Sequence, residues 1–99
     1  MEEKRKQKII KSITQFIKSE IRARESEGII LGMSGGVDSS VTAWLAVSAL
    51  GPDKVFGLIL PDSSVTPKED TRDAEKLAKK LKIRYKVIEV GKIKNKLLR

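Results

Sequence analysis

Ile29-Ile30-Leu31 is an apolar run with no polar alternation, and Gly32-Met33-Ser34-Gly35-Gly36 follows it at once. A strand with one wet face alternates apolar and polar side chains. A strand that does not alternate is covered on both faces, as in parallel sheets. Val55-Phe56-Gly57-Leu58-Ile59-Leu60 repeats the pattern, and Arg84–Val90, with Tyr85, Val87, Ile88 and Val90, supplies a third strand. Segments of helical period lie between and before them. Residues 3–25 put Ile9, Ile13, Phe16, Ile17 and Ile21 on one stripe. A second helix starts at the glycines and reaches Leu50, with Val41, Trp44, Leu45 and Ser48 on one face and Trp44 expected in the core. Gly51-Pro52 stops it.

The third helix carries three agreeing start signals: Thr66 as cap, Pro67 at the first helical position and Glu69 completing a capping box. Ala74, Leu77, Ala78 and Leu81 form its buried stripe. The order α-β-α-β-α-β predicts a doubly wound α/β fold with a parallel sheet and right-handed crossovers. The first strand carries the glycine loop. It is expected at the centre, because such loops lie beside a reversal of strand order.

Composition narrows the chemistry. The 99 residues suffice for one domain. The absence of cysteine excludes disulfides and thiol chemistry, and the absence of histidine removes the commonest general base and zinc ligand. The net charge is +8, which raises the question of nucleic acid. The excess sits in the flanks. Residues 1–27 hold eight Lys/Arg against five Asp/Glu, residues 28–81 six against seven, and residues 82–99 seven against one. Aromatic residues that could stack bases are few, so nucleic-acid binding is not expected. No run approaches the ~20 apolar residues of a membrane span, and the charged start MEEKRKQK is unlike a secretory signal. A cytoplasmic protein is expected. Abundant Lys and Glu with scarce Asn and Gln suit a thermophile.

The glycine loop sits where open α/β sheets bind ligands, between a strand's carboxyl end and a helix N-terminus. Successive glycines let backbone N–H groups converge on an anion, and the helix adds unpaired N–H groups and the positive end of its dipole. Ser34, Ser39 and Ser40 add hydroxyls. Phosphate or pyrophosphate is the ligand this suits. The Walker A lysine is missing, since Asp38 precedes Ser39, and the dinucleotide pattern G-x-G-x-x-G is absent too. A carboxylate beside a polyphosphate calls for a cation between them, and Mg²⁺ held by one carboxylate and phosphate oxygens fits. The alternative is a tight turn in which Asp38 and the serines merely cap the helix.

Ser34-Gly35-Gly36-Val37-Asp38-Ser39-Ser40 resembles the SGG-x-DS signature of the PP-loop ATP pyrophosphatases, which share the adenine-nucleotide alpha hydrolase-like fold. Phe56 to Val90 is similar to ammonia-dependent NAD⁺ synthetases. A strand ends in Leu60-Pro61, a polar loop follows, and a helix carries Glu69-Asp70-Thr71-Arg72-Asp73-Ala74. The resemblance covers residues 1 to about 90 and implies the N-terminal part of a single PP-loop domain across 1–99, the first α-β-α-β-α-β portion. With no amidase segment among these 99 residues, the ammonia-using form is expected rather than the glutamine-hydrolysing one.

The resemblance also implies roles. Gly32, Met33, Ser34, Gly35, Gly36, Val37, Asp38, Ser39 and Ser40 would hold the phosphates of ATP, Asp38 would bind Mg²⁺, and Leu58 to Leu60 would meet the adenine. No side chain is assigned as catalytic. The substrates would be ATP, deamido-NAD⁺ and ammonia, the products AMP and pyrophosphate, and the assembly a homodimer. The alternatives are another PP-loop ligase or thiolase, or a non-catalytic nucleotide-binding remnant. The lack of cysteine weighs against a thiolase. Asp70 and Asp73 are read as charges favourable to the helix dipole. Residues 61–65 are either a lid or a connection.

Overall fold

The computed structural model describes residues 2–91. Its elements are α1 (Glu2–Ala23), β1 (Ile29–Met33), α2 (Val37–Leu50), a short 3₁₀ turn (Pro52–Lys54), β2 (Val55–Ile59), α3 (Lys68–Leu81) and β3 (Arg84–Val87). The strands form one parallel sheet in which Ile29 pairs with Val55, Met33 with Ile59, Phe56 with Arg84 and Ile59 with Val87. The α/β alternation and parallel pairing thus match the sequence pattern.

The strand order does not. It runs β1-β2-β3, so β2 is central and the expected central place of β1 is corrected. Two successive crossovers of the same sense step the chain in one direction. A reversal would need a strand on the outer edge of β1, and none lies there among the described residues.

The parallel register places Met33, Val55 and Ile59 on one sheet face. These residues join Ala43, Ala46, Ala74, Ala78 and Ile83 in the buried core, with Leu31, Leu77, Leu81 and Tyr85 packed around them. Helices α2 and α3 therefore lie on the same face. They approach closely because alanine is what they present: Ala43 and Ala74 are fully buried. The expected buried face of α2 is corrected accordingly. Trp44 is 46% exposed and Val41 50% exposed. Apolar residues lie on every side of this helix, with Asp38, Ser39, Ser40, Thr42 and Ser48 spread among them, so periodicity could not select its inner face, and side-chain size did.

No residue of α1 is buried. It packs against α2, but Ile9, Ile13 and Phe16 of its apolar stripe remain exposed.

Two further boundaries moved for identifiable reasons. The cap of α3 is Pro67, with no side-chain cap bond. The Thr66 hydroxyl instead accepts the Asp62 N–H at 3.0 Å. The third strand ends at Val87 rather than Val90. The Ile88 N–H still donates to the Ile59 carbonyl at 2.8 Å and the Val90 N–H to that of Pro61 at 2.9 Å. A parallel ladder needs a reciprocal donor at each step, and at Pro61 there is no N–H to supply it.

Candidate functional site

The glycine loop crosses from the carboxyl end of β1 into α2. Gly35 has φ +83°, and a Cβ there would land on the Asp70 carbonyl oxygen. Only glycine combines that backbone conformation with so close an approach. The loop is therefore seated against the first turn of α3. This is a role for the Asp70 backbone that charge alone did not suggest. Asp73 lies on the exposed side of the same helix.

Serine hydroxyls fold the loop. The Ser34 N–H donates to Ser39 Oγ at 3.0 Å, and the Gly36 N–H donates to Ser34 Oγ at 3.4 Å. Both hydroxyls act as acceptors in these bonds, so each keeps its proton for a ligand. Ser40 differs: its hydroxyl donates to the Gly36 carbonyl at 2.8 Å. At the helix start, Gly36 is the cap and no side chain caps the first turn. The leading amides of α2, from Val37, Asp38 and Ser39, are thus left without a capping side chain, as an anion-binding terminus requires.

Asp38 is exposed in that first turn. It does not cap the helix. Among the described residues, no three His, Cys, Asp or Glu side chains converge to hold a metal. A cation here would take one protein carboxylate and draw its other ligands from phosphate and water, a donor set that suits Mg²⁺.

Beside the loop, a cleft of about 230 Å³ opens over the ends of β1 and β2. Gly32, Met33 and Ser34 form one wall, and Leu58, Ile59, Leu60, Pro61, Thr66 and Thr71 form the rest. Leu58 and Leu60, singled out in the sequence, thus meet the glycine loop across one opening. Gly57, below it, is a close-packing position, since a Cβ there would stand 2.6 Å from Met33 Sδ. A second depression of about 330 Å³ adjoins the cleft, shares Pro61, Thr66 and Thr71 with it, and adds Ser63, Lys68, Arg72 and Glu75.

Sequence reasoning missed Thr66, Thr71 and the internal bonding of the 61–66 loop. Asp62 is buried and accepts the Ser64 N–H at 3.0 Å and hydroxyl at 2.6 Å. The Val65 and Thr66 N–H groups donate to the Asp62 carbonyl at 3.0 and 2.7 Å. Asp62-Ser63-Ser64 is the kind of string that makes an Asx turn, and that was the available signal. The loop is a braced connection.

The NAD synthase family model matches residues 9–98. The chain belongs to the NAD synthase family.

It is 46% identical over 85 residues to an NH3-dependent NAD⁺ synthetase of Hyperthermus butylicus, covering 86% of this chain and 31% of that one. Among solved structures, the NH3-dependent NAD synthetase of Campylobacter jejuni, in complex with nitrate, superposes with a TM-score of 0.83 at 35% identity. That match covers 93% of this chain and 39% of the other. The glutamine-dependent NAD⁺ synthetase of Acinetobacter baumannii, in complex with adenosine diphosphate, gives 0.86 at 27% identity over 91% of this chain and 17% of that one. The chain spans roughly a third of the length of the curated relatives it matches. Among the described residues, no helix is long and apolar enough to cross a membrane.

Proposed function

We propose that this chain supplies the ATP-binding wall of an NAD⁺ synthetase that amidates deamido-NAD⁺ with ammonia. The observation that carries the reading is the cleft joining Gly32, Met33 and Ser34 to Leu58 and Leu60 beside the uncapped start of α2. Phosphates would lie on the loop amides and the Ser34 and Ser39 hydroxyls, with adenine against Leu58 and Leu60. Adenosine diphosphate in the A. baumannii relative supports an adenine nucleotide as ligand. The cleft is smaller than the ~300–1,000 Å³ of a complete ligand pocket, as befits one wall of it.

In the reaction, a carboxylate oxygen of deamido-NAD⁺ attacks the α-phosphorus of ATP, and the bond to pyrophosphate breaks. Ammonia then attacks the acyl carbon, the C–O bond breaks, AMP leaves and the nitrogen gives up a proton to water. The loop amides and helix dipole would stabilise charge gathering on the departing pyrophosphate. Asp38 would hold Mg²⁺, which would supply further positive charge against it.

The exposed Ile9, Ile13 and Phe16 of α1 and Val41 and Trp44 of α2 support a homodimer. Light scattering at high concentration checks this, and a monomer there would count against it. The same reading places the protein in the cytoplasm.

Calorimetry of ATP binding with and without Mg²⁺, on the wild type and Asp38→Asn, tests the site. Asp38 is exposed and caps nothing, so the variant should keep the fold and lose most of the magnesium-dependent affinity. Unchanged magnesium dependence would exclude the metal role. The chemistry is tested by pyrophosphate release that requires deamido-NAD⁺ and by AMP release that requires ammonia as well. Pyrophosphate release without deamido-NAD⁺, or AMP release without ammonia, overturns the substrate assignment.

A further inference from the structure

Glu89 lies two residues beyond β3 and is absent from the cleft lining, yet it fixes one of the cleft's walls. Its Oε1 accepts the Ser63 N–H at 2.9 Å and the Gly91 N–H at 2.9 Å. The first bond joins residues 26 apart in sequence and ties the Pro61–Thr66 loop to the chain leaving the sheet. Most of that loop's other bonds are internal, from Ser64, Val65 and Thr66 to Asp62 and from Asp62 to Thr66. Internal bonds set the shape of a turn. They do not set where the turn sits.

Placement comes from the chain after β3. The Val90 N–H reaches the Pro61 carbonyl at 2.9 Å, and Glu89 holds Ser63. Gly91 lets the two sides close up. A Cβ there would stand 2.9 Å from Asp62 Oδ1 and 3.0 Å from Glu89 Oε1. The clamp begins where the backbone ladder fails at Pro61, and just beyond it the Glu89 carboxylate accepts the Ser63 N–H. A charged acceptor holding two N–H groups is stronger than a neutral one. What it holds matters, because Pro61 and Thr66 are cleft walls.

We propose that Glu89 is a positioning residue for the nucleotide: by gripping Ser63 it sets the distance between the Pro61–Thr66 wall and the glycine loop. This rests on the nucleotide reading of the cleft. Glu89→Ala removes the acceptor, whereas Glu89→Gln keeps an amide oxygen in its place.

In Glu89→Ala the Ser63 and Gly91 amides should exchange with deuterium about tenfold faster, the worth of a charged hydrogen bond, with α3 amides unchanged. The Thr66 and Thr71 methyl resonances should move. ATP affinity should fall about fivefold to tenfold. Glu89→Gln, with a neutral acceptor in the same place, should restore all three in part. Unchanged exchange in Glu89→Ala overturns the clamp. Faster exchange with unmoved methyls and unchanged affinity reduces Glu89 to a structural tie and overturns the proposal. A wild-type chain that binds no ATP overturns the nucleotide reading and removes the ligand from the proposal. The methyl resonances then decide alone whether Glu89 shapes the cleft.

Discussion

Two loops border the same cleft and are built in opposite ways. The glycine loop spends few of its polar groups on itself. Two of its amides are held by serine hydroxyls, and the first turn behind it has no side-chain cap. The 61–66 loop is bonded nearly throughout, with Asp62 buried at its centre and Glu89 gripping it from outside. One loop leaves donors open for something not of the protein. The other consumes its own donors and becomes a wall. Unsatisfied backbone groups at a surface cost little while water serves them, and they become binding groups once an anion replaces that water.

Substitutions can break the contrast from either side. Gly35→Ala should be the most damaging, because it combines a positive φ with a collision on the Asp70 carbonyl; a loss of more than ~3 kcal/mol in urea unfolding is expected. A near-neutral result would mean that the loop is not seated on α3. Thr66→Val removes the acceptor for the Asp62 N–H, so ~1–2 kcal/mol should be lost, with the cleft's Thr71 disturbed as well. Ser39→Ala frees the Ser34 N–H. Water can replace that acceptor, so stability should fall by only ~0.5–1 kcal/mol while ATP affinity falls further. Equal losses in stability and affinity would show the hydroxyl to be a brace like those of the other loop. Ser40→Ala should change stability by less than ~0.5 kcal/mol, since a hydroxyl bonded back to its own helix carbonyl contributes little.

What could be read in advance followed from local pattern. The unbroken apolar runs at Ile29 and Val55 gave strands, and the glycine and serine string gave a loop beside the cleft. Leu58 and Leu60, expected to meet the adenine, line the cleft beside that loop. The misreadings came from competition between partners distant in sequence. Thr66 could cap α3, but the Asp62 N–H took its hydroxyl. Trp44 and Ala43 are neighbours on a helix whose apolar residues lie all round it, and close approach of the sheet selected alanine. Glu89 reads as an ordinary charge near the end of a strand, because its partner lies 26 residues back. Strand order was not legible at all, since no local pattern records which edge the next strand joins.

The contact between Gly35 and the Asp70 carbonyl has a mechanical meaning. With backbone resting on backbone, the glycine loop and the start of α3 form one stiff corner, and no side chain between them can rotate to give slack. A ligand cannot lift the loop towards itself without unseating a helix. On the nucleotide reading, its phosphates would have to come to the amides where they stand, and any accommodation would fall to the ligand's own torsions.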